Sequence, residues 1–194
     1  MAKIIITGAA GFIGYHLIKK IINKNYDFIL IDDYSRGKKD KPFNNIIKKR
    51  NIKFLNQDLT KPFEIKDQNI KYIFHLAARI GVKNVIEKPS ETINDNLLML
   101  INTINAVKKN NKKVKMIFFS TSEIYSPLIE NKTANFPLKE KVNFIIKNKI
   151  QARDSYYISK LVGEKIVELS GYDYINLRPH NVYGPRMGYS HVIP

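Results

Sequence analysis

Apolar positions along this chain follow two alternating rhythms. Short β-branched runs of about five or six residues alternate with stretches in which apolar side chains recur every three or four positions. The first kind reads as strands buried on both faces of a parallel sheet, the second as amphipathic helices lying on that sheet. Strands are expected at Lys3–Thr7, Tyr26–Ile31, Asn51–Asn56, Lys71–Leu76, Val114–Phe119 and Tyr172–Leu177. Phe12, Ile13, Leu17, Ile18, Ile21 and Ile22 keep one face of a helix after the first strand. A long helix starts at Pro89, aligns Ile93, Leu97, Leu100, Ile101, Ile104 and Val107, and stops in the basic run of residues 108–113. Helical spacing returns from Arg153 to Ser170, with Gly171 as a stop signal. Residues 35–49 are polar, basic and broken by Pro42, which leaves room for a loop and a short helix. Pro127–Ile150 lacks a clean period and reads as an excursion loop with at most a partial helix. Strands alternating with helices predict an α/β fold built on a doubly wound parallel sheet.

Composition narrows the setting. A chain of 194 residues with 44% apolar content is enough for one domain with a full core. Cysteine is absent, so there is no disulfide framework and no thiolate metal site; no metal is expected, and a reducing, cytoplasmic setting suits the chain. No apolar run is long enough to span a bilayer, and the N-terminus reads as a buried strand rather than a signal peptide. The net charge of +16 raises the question of nucleic acid. The lysines, however, are spread along the chain beside Asn and Ile, as a general bias that solvates loops and helix ends. A dedicated nucleic-acid surface is not expected, and steeply salt-dependent duplex binding would be its mark.

Candidate chemistry begins where the first strand ends. Gly8-Ala-Ala-Gly11-Phe-Ile-Gly14 joins that strand to the first helix, a geometry that aims free N–H groups and a helix N-terminus at a pyrophosphate. Gly8 permits the tight turn, Gly11 lets phosphates approach the backbone, and Gly14 lets the helix sit close on the strand. The G-x-x-G-x-x-G spacing only approximates the dinucleotide fingerprint. Asp32, followed by Asp33, ends the second strand, where a carboxylate can accept both ribose hydroxyls of an adenosine and repel a 2′-phosphate; Arg36 softens that preference. Ala77-Ala78 closes the fourth strand with small residues that leave room for a ligand. In the last long helix Tyr156 and Lys160 stand four apart on one face. An ammonium beside a phenol favours the phenolate, which would make a base of a group whose free pKa is near 10.

Taken together and in order, GAAGFIG, the Asp32 strand end, HLAA (His75–Ala78), STSEIY (Ser120–Tyr125), Tyr156-x-x-Ser-Lys160 and RPHNVYGP (Arg178–Pro185) resemble the extended short-chain dehydrogenase/reductase family, the NAD-dependent sugar-nucleotide epimerases and dehydratases. The resemblance covers residues 3–188 and implies a Rossmann-like fold that binds NAD and a nucleotide-sugar substrate. It implies that the backbones of Phe12 and Ile13 meet the pyrophosphate, and that Asp32 and Asp33 hold the adenosine ribose. Asp58 and Leu59 would flank the adenine, while Leu76, Ala77, Ala78 and Asn96 would line the dinucleotide. Tyr156 would be the base, Lys160 would hold the nicotinamide ribose, Thr121 the sugar hydroxyl, and Asn181 the substrate diphosphate. Thr121-Ser122-Glu123 resembles the triplet of dehydratases and decarboxylases more than that of simple 4-epimerases, and all three outcomes stay open. A cofactor-binding module without turnover is the alternative.

The chain departs from the family at Met99-Leu100, usually Gly-Thr, and at Ser126, usually Gly. It also stops just past the sixth strand, where the family continues for roughly another domain's worth of residues. Residues 1–178 are therefore expected to form the NAD-binding domain and 179–194 the start of a substrate-binding region. Val182, Met187, Val192 and Ile193 would be exposed, favouring a homo-oligomer or completion by a missing half.

Overall fold

The computed structural model describes residues 1–108 and 113–187. Its strands are β1 (Lys3–Thr7), β2 (Asp27–Asp32), β3 (Ile52–Asn56), β4 (Ile70–His75), β5 (Lys115–Phe119) and β6 (Asp173–Leu177). Its helices are α1 (Phe12–Ile21), α2 (Lys41–Ile47), α3 (Val82–Glu87), α4 (Pro89–Lys108), α5 (Ser126–Glu130) and α6 (Asp154–Glu168), with a 3-10 turn at Ser122–Tyr125. All pairings are parallel, in the order β3-β2-β1-β4-β5-β6. The chain therefore winds outward from β1, then crosses back to β4 and winds the other way. Thr7 pairs with Ile31 on one side and His75 on the other, so the crevice of this reversal opens at the carboxyl ends of β1 and β4.

Strand alternation sorts the core into two layers. Ile4, Ile6, Phe28 and Leu30 face Ile18 of α1 and Phe43 and Ile46 of α2. Ile5, Ile29, Ile31, Ile73, Met116 and Phe118 face Leu100, Ile104 and Val107 of α4 and Val167 of α6. α6 lies very close to β5, because a Cβ on Gly163 would stand 2.6 Å from the Phe118 ring. On the α1 face, Tyr72, Phe74, Ile117 and Ile175 line an open apolar trough of about 260 Å³. Ile175 and Leu177 remain 43% and 39% exposed there.

The six strands lie within a residue of their expected places. Pro42 is a correction: it starts a helix rather than breaking one. It sits in the first turn of α2, where backbone N–H groups have no intrahelical partner, and Asp40 caps the turn by accepting from the Phe43 N–H at 3.0 Å. α3 is an addition to the expected pattern. Ser126 takes ordinary helical dihedrals, φ −53° and ψ −45°, so this position has no need of the glycine usual in the family. Val182 is exposed as expected, but Met187 is half-buried, and Val192 and Ile193 lie outside the described residues. Among the described residues no helix is long and apolar enough to cross a membrane.

Candidate active site and nucleotide groove

The glycine turn is shaped by two close approaches. Gly8 has φ +66°, and a Cβ there would meet the Ala77 backbone nitrogen at 2.9 Å. A Cβ on Gly14 would lie 2.3 Å from the Gly8 carbonyl oxygen, so α1 can rest on the turn only without a side chain. Gly14→Ala is expected to cost about 1–3 kcal/mol of stability through overpacking against backbone. Urea unfolding measures it, and an unchanged midpoint would mean the turn relaxes without strain.

The turn opens into a groove of about 550 Å³ across the β1/β4 reversal. Gly8, Gly11, Phe12, Ile13, Gly14, Asp32, Asp33, Asp58, Leu59, Leu76, Ala77, Ala78, Tyr156 and Lys160 all line it, although they come from five stretches of chain. Met99 lines it too, at one of the two places where the chain departs from the family. Arg36, Lys38, Arg79, Ser120, Pro179 and Arg186 also contribute walls.

Asp32 is more than a ligand holder. Its Oδ2 accepts from the Ala10 N–H at 2.9 Å and its Oδ1 from the Tyr34 N–H at 2.7 Å, stapling the glycine turn to the loop after β2. Burial pushes its pKa up and these two bonds oppose the shift. Asp33 is exposed and accepts from the Ser35 N–H, while Asp58 accepts from both the hydroxyl and the N–H of Thr60. The Thr60 hydroxyl bond is the main reason the Asp58 pKa falls. Arg36 reaches over to donate to the Ile80 carbonyl at 2.6 Å.

Five expected contributors do not line the groove: Asn96, Asn181 and the run Thr121, Ser122 and Glu123. Asn96 is buried outside the groove walls, and its amide is used up: it accepts from the Arg79 N–H at 2.6 Å and donates to the Ser159 hydroxyl and the Arg79 carbonyl. It ties α4 to α6 and to the loop after β4. Asn181 is exposed and stands off the groove, although Pro179, two residues earlier, lines it.

At the far end of the groove, Ser120 donates its N–H to Leu177 and Ser122 to Pro179, extending the β5–β6 pairing past both strands. This holds Thr121, Ser122 and Glu123 beside α6. Thr121 Oγ1 accepts from the Glu123 N–H at 3.2 Å, so its own hydrogen is left to donate. Lys160 is 3% exposed; its Nζ donates to the Phe119 carbonyl at 2.7 Å and lies 4.9 Å above the Phe118 ring, with His75 stacked on that same ring. Burial pulls the Lys160 pKa down to about 7. At Tyr156 burial outweighs the expected help from a cation: its pKa is raised, by burial first and by the Glu123 carboxyl second, against Arg36, while the Lys160 Nζ stands 5.9 Å from the centre of the Tyr156 ring. The Glu123 pKa is also raised by burial, against the field of Arg153. Sequence reasoning passed over Arg153; its position three residues before Tyr156 was the available signal.

A family model for NAD dependent epimerases and dehydratases matches residues 4–194. The chain belongs to this family. It is 34% identical over 94% of its length to a putative UDP-glucose 4-epimerase of Methanocaldococcus jannaschii, spanning 57% of that protein. It is 31% identical over 99% of its length to a UDP-N-acetyl-alpha-D-glucosaminuronate decarboxylase of Bacillus cytotoxicus, spanning 59% of it. Among solved structures, a UDP-N-acetylglucosamine 4-epimerase of Methanobrevibacter ruminantium superimposes with a TM-score of 0.74 at 28% identity, over 98% of this chain and 58% of that one. The chain thus spans a little under three fifths of the length of each of these three proteins. NAD is the cofactor of the epimerase/dehydratase family, and the groove fits it: the glycine turn lines one part of it, and the buried hydroxyl of Ser120 on its wall has no partner among the described residues.

Proposed function

We propose that the chain carries the NAD-binding half of a nucleotide-sugar epimerase, dehydratase or decarboxylase that oxidises the sugar at C4. The observation that carries this reading is that Tyr156 and Lys160 line the same groove as the glycine turn, with Ser120, the residue before Thr121, on its wall. Bound NAD supplies the acceptor for the C4 hydride. The backbones of Gly11, Phe12 and Ile13 receive the pyrophosphate, and Asp32 and Asp33 the adenosine ribose. Tyr156 takes the proton of the C4 hydroxyl, which the Thr121 oxygen orients, and Lys160 holds the nicotinamide ribose. The positive charge of an oxidised nicotinamide beside Tyr156 would oppose the burial that raises its pKa. Asn96 acts at one remove, by fixing the loop at Arg79 and the Ser159 hydroxyl. Glu123, whose pKa burial raises, suits a proton-donating or proton-accepting part at C5 once C4 is a ketone, and Ser122 neighbours it. Asn181 is assigned to the substrate diphosphate, in a region (179–194) that begins the substrate side, with residues 1–178 as the cofactor side.

A second reading, a cofactor-binding module without turnover, is supported by one observation: Thr121, Glu123 and Asn181 lie outside the enclosed part of the groove. Incubating the NAD-loaded chain with UDP-, GDP-, CDP- and dTDP-sugars separates the two. New sugar products or reduced nicotinamide support the enzyme; NAD binding with no product from any sugar supports the module. Association with a second copy or with a chain that completes the substrate side, and a cytoplasmic setting for a chain without cysteine, belong to the same proposal. The mass of the species in solution tests the association.

A further inference from the structure

Beside the site stands a cation, Arg153, that the chemistry above leaves unused. Arg153 immediately precedes α6 with dihedrals that are already helical, φ −62° and ψ −28°. It therefore stands one turn before Tyr156 on the side of the helix that also carries Lys160, one turn further on. The 3-10 turn Ser122–Tyr125 sets Glu123 beside this row, close enough that Glu123 feels the Arg153 charge and Tyr156 feels the Glu123 charge. The three arginines that line the groove each hold an oxygen: Arg36 the Ile80 carbonyl, Arg79 the Asp95 carboxylate, Arg186 the Asp40 carboxylate. Arg153 is exposed and has neither a hydrogen bond nor an ion pair among the described residues.

We propose that Arg153 is a specificity-determining residue that reads a carboxylate on the sugar, so that the site takes nucleotide sugars of the uronic-acid class in preference to neutral hexoses. This rests on the C4-oxidation reading. With the C4 hydroxyl at Tyr156 and Thr121, the substituent on C5 is one carbon further along the ring and falls beside Glu123. A hexuronate would bring a second carboxylate to that carboxyl group, and two such groups side by side repel unless one is protonated or a cation joins them. A guanidinium offers two parallel N–H donors to a carboxylate, and a free one a turn from the reacting hydroxyl suits that part. A hydroxymethyl group in the same place carries no charge and leaves the guanidinium as it was.

The test is calorimetric titration of the NAD-loaded chain with UDP-glucuronate and with UDP-glucose, probes that differ only at C6. The expected result is tighter binding of the glucuronate by about tenfold or more, the usual scale of one charge-assisted bond. Arg153→Gln should erase the preference while leaving UDP-glucose affinity, NAD affinity and melting temperature unchanged, because Arg153 makes no hydrogen bond or ion pair among the described residues. Arg153→Lys should restore part of it. Equal affinities for the two sugars in the native chain, or a preference that survives Arg153→Gln, would overturn the assignment while leaving the C4 reading intact. Failure of both sugars to bind would overturn the C4 reading and this inference with it.

Discussion

Turnover of a nucleotide sugar by the NAD-loaded chain is expected to fall by roughly 10²–10⁴-fold in Tyr156→Phe, the usual range for loss of a positioned acid–base group. The phenyl ring keeps the packing and the groove wall, so NAD affinity should change by no more than a few-fold. The two readouts together identify the role: a rate loss matched by an equal loss of NAD affinity would mean that Tyr156 shapes the groove instead of moving a proton. An unchanged rate would remove it from the chemistry. Because burial and Glu123 both push the Tyr156 pKa up, Glu123→Gln should lower the pH at which any remaining rate rises. That shift would be in the direction opposite to the loss of a cation.

The largest loss of stability is expected at Arg178→Ala. Arg178 holds Glu164 through two parallel bonds of 2.9 and 2.8 Å, and its remaining nitrogen donates to the Tyr125 hydroxyl and the Glu140 carbonyl. Its guanidinium also lies 4.7 Å over the Phe144 ring. Glu164 is 2% exposed, so truncating its partner strands a buried carboxylate. The expected cost is about 3–5 kcal/mol, read from the urea midpoint. Arg178→Met combined with Glu164→Leu should recover most of it, because removing both charges leaves no buried charge unpaired. If the single and double variants unfold at the same midpoint, packing rather than charge is what the pair supplies.

The parts of this molecule that were legible in the sequence are those set by neighbours in the chain. β1, the glycine turn and α1 are readable because the apolar period changes from two to three or four within a few residues, and Gly8 and Gly14 mark the only geometry that lets strand and helix meet so closely. Asp32 was legible as a residue at the right strand end, but not as a staple, since its partners at Ala10 and Tyr34 depend on how two loops fold towards each other. Asn96 shows the same limit more sharply. Its place in the long helix matches a ligand position, yet its amide is consumed by Arg79 and Ser159, 17 and 63 residues away. Tyr156 and Lys160 were legible as a pair at helical spacing. Their electrostatics were not, because the charges that act on Tyr156 come from Glu123 and Arg36 on other elements, while Lys160 is turned to the Phe119 carbonyl. Pro42 was misread as a breaker because a proline interrupts a helix everywhere except in its first turn.

The Phe118 ring has an inheritance of its own. It sets how near α6 can come to β5, since Gly163 rests against it, and the same ring is the floor beneath the Lys160 ammonium and the stacking surface for His75. Positions 118 and 163 therefore share one fixed volume, and neither can drift alone: a methyl gained at 163 has to be matched by a smaller ring-side residue at 118. Any such exchange would also move the floor under the lysine, so lineages that trade these two side chains would have to re-tune the basicity of Lys160 in the same step.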